Sequence, residues 1–153
     1  HGDHLGQSLY LREVLGREEG PPPPVDLAKE RRHGDLIRSL IRSGQATAVH
    51  DISDGGLIVA VIEMALAGRL GAEIEVPKGD AHVPLFAEDQ ARYVVTVWPA
   101  DAAKVIEAAK AVGVPARRIG TVSGSSVVIK GHATLSLTKL RDTHEAWFPA
   151  LMG

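Results

Sequence analysis

The sequence predicts an α+β fold: a three-layer α/β/α domain on a mixed sheet, partly in the ferredoxin-like βαββαβ order. Three observations carry that class. Apolar residues recur at helical spacing at Leu36, Ile37, Leu40 and Ile41, and around most of the circumference between Leu57 and Leu66. A period of two marks residues 72–76, where Ile74 and Val76 alternate with Glu73 and Glu75. Compact β-rich runs follow at 93–97, 117–122, 127–130 and 134–137, with Gly124 and Gly131 at turns. From His50 onward the order reads β-α-β-β-α-β, then two more strands and a helix.

Leu5, Leu9, Leu11, Val14 and Leu15 space a short helix over residues 5–15, with Ser8 placed to cap it and Gly16 to end it. Gly20 and Pro21 to Pro24 form a stiff arm, because consecutive prolines favour an extended polyproline helix. That arm reads as a spacer. Asp26 is placed to cap a helix over 27–43 that stops at Gly44, with Glu30, Arg31, Arg32 and Arg38 on its solvated face. Residues 45–49 read as a strand, 57–67 as a sandwiched helix closed by Gly68, and 77–84 as a loop. Pro99 and Asp101 start an alanine-rich helix over 100–112 that Gly113 ends. Thr138 is placed to cap a last helix that carries Leu140, Trp147 and Phe148 before Pro149. Trp98 and Trp147 are expected as core or interface anchors.

For domain organisation, residues 1–45 are expected as helices and a proline-rich arm packing on or leading into the domain, and 46–153 as the α/β domain. The whole is expected to be one domain. The chain opens on His1-Gly2-Asp3-His4 rather than methionine, which predicts a C-terminal fragment of a longer protein.

A formal charge of −2 with scattered Lys and Arg excludes a general nucleic-acid or anionic-membrane surface. With no cysteine, disulfides, thiolate zinc sites and cysteine nucleophiles are excluded, which suits a cytoplasmic protein. No apolar run reaches the length of a membrane-spanning helix, and no signal peptide is expected.

Polar chemistry concentrates in two stretches. In His50-Asp51-Ile52-Ser53-Asp54-Gly55-Gly56, a histidine, two carboxylates and a hydroxyl sit where a strand turns into a helix. A helix start offers free backbone N–H groups and a positive dipole end, which suit a phosphate or carboxylate. Asp51 and Asp54 have the oxygen ligands that magnesium prefers, and His50 the ring for donating to a phosphate or moving a proton. The competing reading is purely local: Asp54 caps the helix, Gly55 and Gly56 permit a tight turn, and His50 is a bonded strand residue. The pattern is neither a Walker loop nor a dinucleotide fingerprint.

The second stretch is Glu88-Asp89-Gln90 with Arg92, just before a buried strand. Adjacent acids, an amide and a guanidinium suit a polar ligand, and they equally suit an Arg–carboxylate pair in a surface loop. His1, His4, His33, His82, His132 and His144 show no ligand spacing, and no Ser-His-Asp set is arguable. On these residues alone a ligand site and a purely local role stay open for both stretches.

Several segments in order then carry a resemblance: Leu5-Gly6-Gln7-Ser8-Leu9-Tyr10-Leu11, Gly20 with its prolines, Val25-Asp26-Leu27, the stretch from His50, Glu63-Met64-Ala65, the run from Leu85 to Tyr93, and Arg118-Ile119-Gly120. The series resembles the C-terminal part of the synthetase subunit of phosphoribosylformylglycinamidine synthase, in the small multi-subunit bacterial form. The resemblance implies a domain of the aminoimidazole ribonucleotide synthetase type and a ligase of purine biosynthesis. In that reaction ATP activates the amide oxygen of formylglycinamide ribonucleotide, and ammonia from glutamine displaces phosphate.

It further implies ATP and Mg2+ as cofactors, with ligands mostly outside this fragment. Implied partners are upstream domains of the same chain, a glutaminase subunit, a small third subunit and the nucleotide substrate, in the cytoplasm. The fragment is expected to be inactive alone and to line a nucleotide cleft with His50, Asp51, Ser53, Asp54, Gly55, Gly56, Glu88, Asp89, Gln90 and Arg92. Glu88-Asp89-Gln90 resembles a duplicated copy of the family's substrate-contacting Glu-Ser-Gln loop, with Asp89 in place of the serine. Two alternatives stand beside this reading: a related aminoimidazole ribonucleotide or selenophosphate synthetase, and a purely structural assembly domain.

Overall fold

The computed structural model describes residues 4–77 and 79–153, so His1, Gly2, Asp3 and Lys78 lie outside the described residues. Its elements are α1 (Leu27–Arg42), β1 (Ala46–Asp51), α2 (Gly56–Gly68), β2 (Ala72–Ile74), α3 (His82–Phe86), β3 (Tyr93–Val97), α4 (Ala102–Ala111), β4 (Gly120–Val122), β5 (Ser126–Ile129), β6 (Ala133–Ser136) and α5 (Leu137–Met152). A wide helical turn at Tyr10–Val14 precedes them, and a tight one at Pro99–Asp101 leads into α4. The α+β class holds.

The expected βαββαβ succession is interrupted by α3 between β2 and β3, and its strands do not assemble into one ferredoxin-like sheet. β1 and β3 form an antiparallel pair, and a second sheet has the order β4-β2-β5-β6. The reason lies in β2. This three-residue strand pairs antiparallel with β4 on one edge and parallel with β5 on the other. With both edges filled, it has no ladder left to offer β1 or β3. The second sheet is mixed, as expected, because β5 and β6 are also antiparallel.

The chain divides into two compact units, His1–Ala60 with Pro77–Arg118, and Val61–Val76 with Ile119–Gly153. In the first, β1 and β3 run from Ala46 opposite Val97 to Asp51 opposite Tyr93, with an irregularity between Ala46 and Ala48. Leu11, Leu40, Ile52, Leu57, Ile58, Ala60, Leu85, Ala87 and Val94 are buried there. Ser8 caps the wide turn as expected: its hydroxyl accepts from the Leu11 N–H at 3.3 Å. The loop expected over 77–84 instead ends in α3. Asp80 accepts from the His82 N–H at 2.8 Å, and the Tyr10 ring stacks on Phe86 with centroids 4.5 Å apart.

In the second unit, Ile74, Val127, Ile129, Leu137, Val61 and Ala65 are buried. Lys130 bridges Glu73 at 2.9 Å and Glu75 at 2.6 Å. The bond from Glu75, followed by that from Glu73, raises the Lys130 pKa above its ordinary value. Ser136 takes the position before α5 that Thr138 was expected to hold, and Pro149 lies inside that helix rather than beyond it. Trp98 and Trp147 are 67% and 65% exposed, which removes the core reading for both.

Asp26 caps α1 by accepting from the Lys29 N–H at 3.0 Å. That bond is the main cause of a pKa below the ordinary carboxylate value. A folded pKa below the unfolded one gives stability that is complete above about pH 4 and is lost as pH falls through the folded value. Asn caps as well as Asp but does not titrate. Asp26→Asn is therefore expected to keep the neutral-pH melting temperature and to lose less of it on acidification than the wild type. Equal acid slopes in a thermal melt series would contradict this assignment.

Candidate functional site

β1 delivers the first polar stretch. His50 and Asp51 are its last residues rather than part of the turn, and His50 Nδ1 lies 3.7 Å from Asp51 Oδ1. The chain then reverses through Ser53 and Asp54, and the Gly56 N–H closes the turn on the Ser53 carbonyl at 3.0 Å. Gly55 and Gly56 have φ of +78° and +71°, two left-handed residues in succession that side chains would strain. At Gly56 the space is also closed. A Cβ there would come within 2.7 Å of the Leu85 carbonyl oxygen and of the Phe86 backbone.

That close approach brings the second stretch to the start of α2. Glu88 Oε1 accepts from the Gly55 N–H at 2.8 Å and from the Leu9 N–H at 2.9 Å. The anion that a helix start attracts is thus supplied by the chain itself, from a residue 33 positions away. The cap expected from Asp54 is provided by Glu88. Leu9 is followed by Tyr10, whose ring packs on His82 and Phe86 of α3.

The rest of the Glu88 loop is braced in the same way. Arg92 donates to the Ala87 carbonyl at 2.9 Å and lies 3.9 Å from Asp89, both side chains being 14% exposed. Asp89 accepts from the His4 N–H at 3.4 Å. The Arg92 carbonyl accepts from the Ile52 N–H at 2.8 Å, so the loop is fastened to the end of β1. His33 is buried and its Nδ1 lies 2.7 Å from the Ala91 carbonyl. A carbonyl oxygen only accepts, so Nδ1 carries the proton. Ala91 has φ +59°, and this bond helps to hold it there.

Together the two stretches line a groove of about 340 Å³. Asp51, Ile52, Ser53 and Asp54 line it from one side of the sequence, and Glu88, Gln90, Ala91, Arg92 and Tyr93 from the other. His50 is not among the lining residues. Its Nδ1 is 2.6 Å from the carbonyl of Asp51. Gly55, Gly56 and Asp89 support the groove from beneath without lining it. Of the ten residues that the resemblance implied, six line the groove: Asp51, Ser53, Asp54, Glu88, Gln90 and Arg92.

Gln7, Pro22, Pro23 and Glu30 complete the lining, and sequence reasoning had left all four aside. The arm folds back on the N-terminal segment. Gln7 donates to the Gly20 carbonyl at 2.8 Å, and His4 Nε2 lies 2.7 Å from the Pro21 carbonyl. A Cβ on Gly6 would meet that same carbonyl at 2.4 Å. Glycines at both ends of the segment signalled a close approach, but not what approaches.

Chemically the groove is acidic. Glu30, Asp51, Asp54 and Glu88 line it with a single guanidinium, that of Arg92. Among the described residues no group of three or more His, Asp or Glu side chains is placed to hold a metal ion. The residues present therefore do not form a metal cage of their own. Nor do they fit the triphosphate of ATP, since carboxylates repel it and the helix start is filled. They fit hydroxyl and N–H groups, which carboxylates and an amide oxygen accept from.

Comparison with known proteins agrees with this fold. Residues 2–131 match the family model of the AIR synthase related protein, C-terminal domain. The phosphoribosylformylglycinamidine synthase subunit PurL of Rhodopseudomonas palustris (strain TIE-1) is 56% identical over 151 residues, 97% of this chain and 20% of that protein. The subunit of the same name from Allorhizobium ampelinum is 57% identical over 154 residues, 99% of this chain and 20% of that protein. The chain thus spans about a fifth of the length of the curated relatives it matches. Among solved structures, Thermotoga maritima PurL complexed with ADP superimposes with a TM-score of 0.70 at 18% identity, covering 91% of this chain and 24% of that one. Among the described residues no helix is long and apolar enough to cross a membrane. With most of its length matched by the family model, the chain belongs to the family of AIR synthase related protein C-terminal domains.

Proposed function

We propose that this chain is the C-terminal domain of an ATP-dependent synthetase of purine biosynthesis, which converts formylglycinamide ribonucleotide to formylglycinamidine ribonucleotide with ammonia from glutamine. The domain lines one wall of a nucleotide cleft and is inactive alone. The observation that carries this reading is the groove, where the two polar stretches of the resemblance meet although more than thirty residues separate them. The names of relatives at 56% and 57% identity favour it over an aminoimidazole ribonucleotide or selenophosphate synthetase.

In this reading the groove residues take the hydroxyl- and N–H-bearing part of a nucleotide. Asp51, Asp54 and Ser53 accept from ribose or base, and Gln90 does so from the opposite wall. Phosphates and Mg2+ are held by upstream domains of the same polypeptide, and ammonia comes from a separate glutaminase subunit, with a small third subunit in the complex. ATP supplies the phosphoryl group that activates the amide oxygen. Within this chain no residue is assigned a catalytic role. The protein acts in the cytoplasm.

The test is nucleotide affinity in the full-length parent, with Asp54→Ala and Gln90→Ala beside the wild type. Both side chains are exposed in the groove, so folding should be spared. Losing a bond between a carboxylate and a hydroxyl is expected to weaken binding by roughly tenfold, about 1.4 kcal/mol. Unchanged affinity in both variants would favour the purely structural reading. Amidation by the 153-residue chain alone would overturn the proposal.

A further inference from the structure

We infer that the apolar face at the end of α5 docks against an apolar surface on the remaining length of the same polypeptide, the part of the relatives' chain that lies outside these 153 residues. The inference rests on the reading of the chain as one domain of a longer synthetase.

It begins from a mismatch of lengths. α5 has 16 residues and is about 24 Å long, whereas the neighbouring β6 has four residues and spans about 14 Å. Only the first half of the helix has a strand to lie beside. Leu137 is accordingly buried, and Arg141 donates to the Leu66 carbonyl at 2.6 Å. After the polar residues Asp142 to Glu145 the helix turns apolar, and this end is exposed. Trp147, Phe148, Leu151 and Met152 are 65%, 61%, 63% and 69% exposed, and their i, i+1, i+4, i+5 spacing puts them on one face. No charged residue occurs from Ala146 to Gly153. Pro149 also removes a donor from the helix interior, which weakens its exposed end.

Patch size decides between the possible occupants. Four side chains at these exposures offer roughly 500 Å². A stable complex between separate chains needs about 800 Å² per partner. A second copy or a free subunit is therefore poorly held by this face alone. A covalently linked domain is not, because linkage supplies an effective concentration in roughly the millimolar range. The absence of charge suits a permanent contact, since dissociable interfaces are about as polar as ordinary surface. α5 also lies beyond residues 2–131 of the family match, yet inside the match to the Allorhizobium ampelinum protein, which covers 99% of the chain. The helix is thus shared with a polypeptide about five times as long.

Hydrogen exchange on the full-length parent tests this, at two protein concentrations and with or without the separate subunits. Amides of residues 144–152 are expected to be protected by a factor of roughly 100 or more in the parent alone, independent of concentration. The Trp147→Ser, Phe148→Ser double variant is expected to lose at least about tenfold of that protection. Should the double variant misfold, the wild-type measurement still decides. Exchange near unprotected rates would overturn the inference. So would protection that rises with concentration alongside a dimer in sedimentation, or protection that arises only when other subunits are added. A parent that lacks ATP-dependent amidation would refute the proposed function and leave this readout standing.

Discussion

Gly56→Ala is expected to lower the unfolding free energy by about 3–5 kcal/mol, combining a left-handed backbone with a backbone clash. At φ +71° an alanine is strained by about 1–2 kcal/mol before any contact is considered. The new methyl would then lie 2.7 Å from the Leu85 carbonyl oxygen and from the carbonyl carbon and Cα of Phe86. These are backbone atoms and cannot swing aside, so either α2 or the 85–88 segment must move. Movement there lengthens the Gly55–Glu88 bond and opens the groove. Gly44→Ala is the control, with φ +70° and no atom within 4 Å of the new Cβ. It carries the strain without the clash, and about 1–2 kcal/mol is expected. Urea denaturation of both variants measures the difference. Equal losses would mean that the close approach at Gly56 contributes nothing.

Glu88→Ala is expected to cost about 2–4 kcal/mol, although the side chain is only half-buried and lies at the groove. One carboxylate oxygen satisfies two amides from distant parts of the chain, those of Leu9 and Gly55. Alanine leaves both donors without their acceptor and removes the negative charge at the start of α2, where it is favoured. Glu88→Gln retains an acceptor oxygen without the charge, and about 1 kcal/mol is expected. The order Ala greater than Gln in loss of stability identifies the bond. A loss of ligand affinity with unchanged stability in both would instead make Glu88 a ligand-contacting residue.

That distinction bears on the acidic groove. Nearly every group in the Glu88 loop is used to hold the loop itself: Glu88 on α2, Asp89 on His4 and Arg92, Arg92 on Ala87, and Ala91 under His33. The groups left exposed are Asp51, Ser53, Asp54 and Gln90. Recognition in the proposed cleft therefore falls to these four side chains, on walls that the buried network keeps in place.

The sequence by itself determined most of the local elements, α3 excepted, and the family. Apolar periodicity placed α1 and α2, start and stop residues placed α4, and capping chemistry at Asp26 and Ser8 fixed where chain segments turn helical, because all depend on residues within one or two turns. The paired glycines marked the sharp reversal after β1. Tertiary structure alone decided the sheets, since three-residue β2 carries too little pattern to say which strands take its edges. It also decided the roles within the polar stretches. Spacing put His50 beside Asp51, but only Asp51 lines the groove, while the His50 ring is turned to the Asp51 carbonyl. Composition made Asp54 the natural cap, but Glu88 arrives from another part of the chain and takes that place. Local propensity is written in neighbouring residues, whereas which carboxylate reaches which amide is settled only when distant segments pack.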